Sequence, residues 1–195
     1  MAHDAELDGI LEFLRIAERL KSQPRSGRTS TGEPESVAAH SWRLCLMAAV
    51  LADRVPGLDR ARLMTMCLIH DLGEALRGDT PAPSQAADAG KAAREREDLQ
   101  FVMAALPAKL RDEFTALWDE YEAARTPEAR FAKGLDKLET ILQHAQGRNP
   151  PDFDYEFNLD YGRAYTTADP LLAELRARLD RETAARARGE GPGGR

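Results

Sequence analysis

Four titratable side chains follow closely after a strongly apolar stretch of the chain. The stretch at residues 63–69 leads directly into His70 and Asp71, and then into Glu74 and Asp79. Because an unpaired charge is costly in an apolar interior, His70 and Asp71 must be paired, hydrogen-bonded or bound to a metal. Packing alone does not explain so many titratable groups at this point. The pattern therefore indicates a reaction site.

A second histidine is predicted to point into the core from another helix. His40 shares a helical stripe with Leu44, whereas His70 shares one with Leu63, and Glu74 extends that second stripe by one turn. Neutral imidazole and carboxylate oxygen are ligands of first-row divalent metals, and histidines that converge in a bundle core can build such a site. Two core histidines that are hydrogen-bonded without a metal are the structural alternative.

Four ordered segments of the chain carry the histidines, aspartates and glutamates. They read Glu-Ser-Val-Ala-Ala-His-Ser at 35–41, His-Asp-Leu-Gly-Glu at 70–74 with Gly-Asp-Thr-Pro at 78–81, Leu-Arg-Asp at 110–112 through Leu-Trp-Asp-Glu-Tyr-Glu at 117–122, and Lys-Gly-Leu-Asp-Lys-Leu-Glu at 133–139. In this order and spacing they resemble the HD-domain metal-dependent phosphohydrolases. More narrowly, they resemble the 5′-deoxynucleotidase branch that is often called YfbR-like. The resemblance covers residues 7–180.

The resemblance implies a metal site built from four side chains. His40, His70, Asp71 and Asp136 would hold one divalent ion, with open positions for water and phosphate. Asp136 enters through the resemblance alone, because it lies off the core stripe of its helix. The ion is Co²⁺, Mn²⁺, Mg²⁺, Fe²⁺ or Zn²⁺, since mixed nitrogen and oxygen ligands do not select among them. The chain has four histidines, and a mononuclear site is favoured because dinuclear relatives use more.

Hydrolysis of a phosphate monoester also needs proton transfer and a cationic clamp. By resemblance, Glu74 is the acid or base, and Asp79 helps to hold the sugar or the attacking water. Without the resemblance, Glu74 reads as a helix-end carboxylate and Asp79 as a turn residue. Arg25 is the expected phosphate ligand. The branch has a tryptophan in the same loop, which this chain lacks, and the planar guanidinium of Arg28 is expected to occupy the space. Lys133 is a further phosphate candidate, with a solvated lysine as the alternative.

Helices separated by short breakers are expected to position these groups. Helical spacing of apolar residues, caps and breakers predict seven helices, at residues 5–21, 35–55, 59–76, 89–106, 107–124, 127–146 and 169–186. Loops are expected at 22–34 and 77–88, an irregular segment at 149–165, and no strand. Trp42 is interpreted as a packing residue, and His144 as a surface or helix-end residue.

The predicted fold class is all-α, with a single compact HD-domain helical bundle. The domain is expected at residues 1–188, with its core at 35–146 and the C-terminal helix at 169–186, and a disordered tail is expected at 189–195. The net charge of −6 argues against a nucleic acid polymer as partner. No apolar run is long enough to span a bilayer, and no secretory signal is evident. Two lone cysteines fit reduced thiols, so we expect a cytoplasmic protein with no membrane partner.

The resulting prediction is a metal-dependent enzyme that removes the 5′-phosphate from deoxyribonucleoside 5′-monophosphates. The resemblance also implies a homodimer. Two alternatives stay open. One is an HD hydrolase of another small phosphomonoester or nucleotide, and the other is a non-catalytic helical protein that binds a metal or a nucleotide. Nothing in the sequence selects a base or measures the preference for deoxyribose over ribose.

Overall fold

The structure is a computed structural model that describes residues 2–80 and 90–190, and within these ranges the chain forms ten α-helices. They are α1 (Ala2–Ala17), α2 (Val37–Leu51), α3 (Arg60–Ile69), α4 (Glu74–Arg77), α5 (Lys91–Val102), α6 (Ala108–Ala123), α7 (Pro127–Gln146), α8 (Phe157–Asp160), α9 (Arg163–Thr166) and α10 (Pro170–Ala187). Two 3₁₀ segments, Glu18–Lys21 and Ala52–Arg54, follow α1 and α2. The predicted all-α fold class is confirmed.

Helix α7 lies at the centre of the bundle and packs against α2, α3, α6, α9 and α10. It begins as predicted, because the Thr126 side chain accepts from the backbone N–H of Ala129 at 3.2 Å and Pro127 occupies the first turn. Leu135 and Leu138 on this helix are fully buried. The longest described helix therefore carries the core stripe and places residue 136 in the interior.

A short β-hairpin lies in the segment where we predicted only a loop. Strand β1 (Pro24–Arg28) pairs antiparallel with β2 (Pro34–Ser36), and its turn closes when the N–H of Thr29 donates to the carbonyl of Glu33 at 2.8 Å. The segment is rich in Gly, Pro, Ser and Thr and has no alternation of apolar and polar residues, which is the pattern that predicts a strand. β1 packs against α7, so the hairpin carries Arg25 towards the bundle interior.

The predicted helix at 59–76 is divided into two. Asp59 caps α3 by accepting from the N–H of Arg62 at 3.0 Å. The helix ends at Ile69, however, and α4 starts only at Glu74. Gly73 lies in the break, where an added Cβ would come within 2.8 Å of the Glu95 carbonyl oxygen. Glycine thus lets α5 approach the turn that carries the His-Asp pair.

One single-residue prediction was wrong, and a second was correct only in part. Trp42 is 67% exposed; it follows the buried His40 by two residues, which places it about 200° away around the helix. His144 is at a helix end but is buried and not at the surface, because Ser26 and Asn158 provide its hydrogen bonds. The predicted loop at 77–88 and the predicted tail at 189–195 fall partly outside the described residues. No helix in the described ranges is both long and apolar enough to cross a membrane.

Candidate active site

Two buried histidines from different elements face the same point in the bundle. His40 lies in the first turn of α2, which Ser36 caps by accepting from the N–H of Ala39, and His70 follows the last residue of α3. The centroids of the two imidazole rings are 5.5 Å apart. The predicted convergence of the two histidines in the core is therefore observed.

Two carboxylates complete this cluster, which consists of His40, His70, Asp71 and Asp136. The Nε2 atom of His40 lies 3.2 Å from Oδ1 of Asp136 and 3.9 Å from Oδ2 of Asp71. The Nε2 atom of His70 lies 3.0 Å from Oδ2 of Asp71 and 4.0 Å from Oδ1 of Asp136. Ligands about 2.1 Å from a metal are about 3 Å apart when adjacent and about 4 Å apart when opposite, so this spacing suits a divalent ion.

The hydrogen bonds of the imidazole rings leave both Nε2 atoms available as donors to a metal. Nδ1 of His70 donates to the carbonyl oxygen of Cys67 at 3.0 Å, and Nδ1 of His40 donates to Oε2 of Glu139. Neither Nε2 atom has a hydrogen-bond partner, although both are buried. A buried nitrogen without a partner is costly, and a ring held through its other nitrogen is typical of metal-binding histidines. The donor set therefore fits a metal.

Neighbouring basic side chains and a phenol stabilise the two aspartates as anions. Burial raises the pKa of Asp71, but His70 and Arg25 outweigh this effect and hold it below the ordinary value. Burial likewise raises the pKa of Asp136, yet Lys137 and the two histidines hold it well below the ordinary value. The Tyr121 hydroxyl donates to Oδ2 of Asp136 at 2.9 Å. Both carboxylates are thus charged and can serve as anionic ligands.

The pKa values of Glu74 and Asp79 are shifted in the opposite direction, above their ordinary values. Burial, Asp71 and Asp79 together raise the pKa of Glu74 to about 10, and its Oε2 atom has no hydrogen-bond partner. Burial also raises the pKa of Asp79, against the lowering effect of Arg25. Carboxyls that share a site with a carboxylate retain a proton because like charges repel. In the metal-free fold, Glu74 is therefore a buried carboxyl that keeps its proton at neutral pH beside the cluster.

Comparison with known proteins connects this geometry to a family. A family model described as an HD domain matches residues 17–176. The chain belongs to the HD-domain family. The 5′-deoxynucleotidase HDDC2 of Mus musculus is 37% identical over 140 residues, covering 71% of this chain and 69% of that protein. The 5′-deoxynucleotidase hdd1 of Schizosaccharomyces pombe is 34% identical over 140 residues, covering 69% of this chain and 70% of that protein.

A solved structure matches this HD-domain protein over nearly its whole length. It is the crystal structure of a predicted metal-dependent phosphohydrolase from Magnetospirillum magnetotacticum MS-1, with 29% sequence identity and a TM-score of 0.81. The match covers 94% of this chain and 95% of that chain. The arrangement of helices around the cluster is therefore shared with the structure of a predicted metal-dependent phosphohydrolase.

The basic residues that we predicted to bind phosphate lie in three different settings. The guanidinium of Arg25 enters the cluster of the HD domain, donating to Oδ2 of Asp71 at 3.1 Å and to the Thr140 hydroxyl at 3.2 Å. The guanidinium of Arg28 instead donates to the Gly32 carbonyl within its own hairpin at 2.9 Å. The third, Lys133, pairs with Glu122 at 2.9 Å. Arg25 alone of the three has a hydrogen bond to the four-residue cluster among the described contacts.

Among the described residues, sequence reasoning missed three groups that hydrogen-bond to side chains of the cluster. Lys137 donates from Nζ to Oδ2 of Asp136 at 2.9 Å, and Tyr121 donates to the same oxygen. Glu139 accepts from His40 and is fully buried. Helical spacing offered one signal, because residues three apart lie on one face. If Asp136 faces the interior, Glu139 does as well. Nothing local indicated Tyr121, whose helix meets α7 only in the folded bundle.

Proposed function

We propose that this chain is a metal-dependent 5′-deoxynucleotidase that converts a deoxyribonucleoside 5′-monophosphate and water into a nucleoside and phosphate. One observation carries the proposal: two buried Nε2 atoms without hydrogen-bond partners lie 3.0–4.0 Å from two anionic carboxylates. Membership of the HD family and the names of its relatives support this choice.

In this proposal His40, His70, Asp71 and Asp136 hold one divalent ion. A bound ion of this kind lowers the pKa of a water ligand and neutralises phosphoryl oxygens. Co²⁺, Mn²⁺, Mg²⁺, Fe²⁺ and Zn²⁺ all stay candidates, because two nitrogens and two carboxylates are acceptable to each. The hydrogen bonds described above orient the four side chains; one example is the bond from Nδ1 of His70 to the carbonyl of Cys67.

The reaction breaks the bond between phosphorus and the 5′ oxygen and forms a bond from phosphorus to the oxygen of water. Glu74 holds the proton that the leaving 5′ oxygen needs, in keeping with its raised pKa, and one proton of the attacking water returns to Glu74 once the new bond to phosphorus has formed. Asp79 lies beside it and is assigned to the sugar or the attacking water. Arg25 is assigned to the phosphate, because its guanidinium already faces the anionic cluster. Lys133 and Arg28 keep the roles that we predicted for them only if substrate binding changes their present hydrogen bonds.

Two exposed apolar stripes support the proposed homodimer. Trp42, Leu46 and Val50 recur every four residues on α2, and Leu7 and Leu11 do so on α1. All five are at least 47% exposed. Exposed apolar faces of this kind mark protein interaction sites, and a second copy of the chain is the partner that we propose.

We also propose a cytoplasmic protein whose HD domain extends over residues 1–188. The family match from residue 17 to residue 176 supports one domain. Both cysteines are free thiols, which supports a reducing compartment.

The decisive test is phosphate release from eight 5′-monophosphates, four deoxy and four ribo, by metal-stripped protein before and after Co²⁺, Mn²⁺ or Mg²⁺ is restored. We expect metal-dependent release that favours the deoxy set. Asp71→Ala should lose bound metal and activity together, because it removes a charged ligand. Asp119→Ala is the matched control, because this carboxylate pairs with Arg96 on the surface. Retained metal with no release from any nucleotide would favour another phosphomonoester or a non-catalytic binder.

A further inference from the structure

A fully buried glutamate lies directly behind one of the two histidines. Glu139 accepts a hydrogen bond from Nδ1 of His40 through Oε2, and one from Nε of Arg43 through Oε1 at 2.6 Å. It lies on α7, three residues after Asp136, whose Oδ1 atom faces the Nε2 atom of the same His40. One helix thus contacts both nitrogens of one imidazole ring.

The two histidines of the cluster have different partners at Nδ1. His70 donates to the backbone carbonyl of Cys67, which is neutral, whereas His40 donates to a carboxylate. A carboxylate acceptor fixes the tautomer more strongly than a carbonyl and makes the opposite nitrogen a better electron donor. Arg43 reinforces the arrangement, because it also bonds Gln146 at 3.3 Å and ties α2 to the last turn of α7.

We infer that Glu139 is a positioning residue for the metal centre: it holds His40 in the tautomer and orientation that direct Nε2 at the ion, and Arg43 holds Glu139. The inference rests on the proposed metal site. It adds a carboxylate and an arginine, neither of which touches the ion, to the groups that determine its affinity.

A competing explanation makes the same glutamate a ligand of a second ion. Ligand atoms of Glu35, His40 and Glu139 all lie within 4.8 Å of one another. However, the Nδ1 proton of His40 already occupies the space between two of these groups. Arg25 approaches Glu35 at 3.8 Å and Arg43 approaches Glu139. Two guanidinium cations would repel a second divalent ion, so the hydrogen-bonded arrangement is favoured.

The test compares metal binding by the wild-type chain, Glu139→Gln and Glu128→Gln. Glu128 is a matched control, because it is a buried glutamate on the same helix that accepts from the backbone N–H of Asp59 at 2.9 Å. Titration calorimetry of the metal-stripped proteins with Mn²⁺ gives the dissociation constant and the number of ions per chain. We expect one ion per wild-type chain, about 10- to 100-fold weaker binding in Glu139→Gln, and binding within about threefold of wild type in Glu128→Gln.

Arg43→Met is the second variant and keeps the inference testable if Glu139→Gln does not fold. It should weaken Mn²⁺ binding in the same direction, and thermal unfolding of each metal-free variant separates this effect from loss of structure. Unchanged affinity in a folded Glu139→Gln would overturn the inference. Two ions per wild-type chain, with one lost in Glu139→Gln, would overturn it in favour of the second-ion explanation. A wild-type chain that binds no ion would contradict the proposed function itself.

Discussion

Replacing Glu74 with glutamine should stabilise the metal-free protein at neutral pH. In the fold, burial and the neighbouring Asp71 and Asp79 raise the pKa of Glu74 from 4.5 to about 10, so its carboxyl keeps a proton at pH 7. In the unfolded chain the same carboxyl is ionised at pH 7. A carboxyl whose pKa is raised by folding therefore supports the fold fully only below its unfolded pKa, and this support falls as the pH rises towards the folded pKa.

The size of the effect follows from the two pKa values. Each pH unit between them costs about 1.4 kcal/mol of unfolding free energy. From 4.5 to pH 7, the wild-type protein therefore loses about 3.4 kcal/mol relative to Glu74→Gln, which has no carboxyl to ionise. This figure does not depend on where above 7 the folded pKa lies. Glutamine has nearly the same shape as glutamate, so packing should change little.

The assay is urea unfolding in the presence of a chelator at pH 5, 6, 7 and 8. The difference in unfolding free energy between Glu74→Gln and wild type should grow by about 1.4 kcal/mol per pH unit. Glu12→Gln, at an exposed position on α1, controls for the loss of a carboxyl without burial. A difference that stays constant with pH would mean that Glu74 ionises in the fold as it does in water. That result would remove the physical basis for its proposed role as proton donor.

Two further predictions concern the lysines near the cluster and the dimer. Lys137→Met should lower kcat/KM for phosphate release by about 10- to 100-fold, because it removes a charged hydrogen bond to Asp136. Lys133→Met should keep kcat/KM within about threefold of wild type. A larger loss in Lys133→Met than in Lys137→Met would favour Lys133 as the phosphate ligand. Trp42→Asp should convert the proposed homodimer to a monomer in analytical ultracentrifugation. Phe101→Asp, which changes an exposed residue of α5, should leave the dimer intact. A dimer that persists in Trp42→Asp would show that the exposed face of α2 is not the dimer interface.

Local sequence signals predicted most of the helices correctly. Caps at Ser36, Asp59, Thr126 and Asp169 each accept a hydrogen bond from the first turn of a helix in the structure, because capping depends on residues within one turn. The hairpin at Pro24–Arg28 was not predictable in this way. Its stability comes from turn hydrogen bonds and from packing on α7, more than a hundred residues later in the chain.

The site was predictable to the extent that residue type and helical stripe decided burial. His40 and His70 lie on apolar stripes, and both are buried. Asp136 lies off the core stripe of its helix and yet is buried, because partners from α2 and α6 provide its contacts through His40 and Tyr121. A helical wheel shows which residues of one helix share a face, but it does not show which other helices pack against its remaining faces. Burial of the Asp136 carboxylate depends on tertiary contacts. The family resemblance implied these contacts, but the local sequence pattern did not indicate them.

The break after α3 explains how two consecutive residues, His70 and Asp71, can both face the interior of the cluster. Neighbouring residues within an α-helix point about 100° apart and do not face each other. Here the helix ends at Ile69. The carbonyl of His70 accepts from the indole N–H of Trp118 at 3.0 Å. The N–H of Glu74 donates to the carbonyl of Asp71. The Trp118 bond therefore occupies the acceptor that a continuous helix would offer to Glu74. Because Trp118 lies 48 residues away, no local pattern distinguishes this turn from a helix continuing to residue 76. The same turn brings Nε2 of His70 and Oδ2 of Asp71 to 3.0 Å, which a continuing helix would not favour.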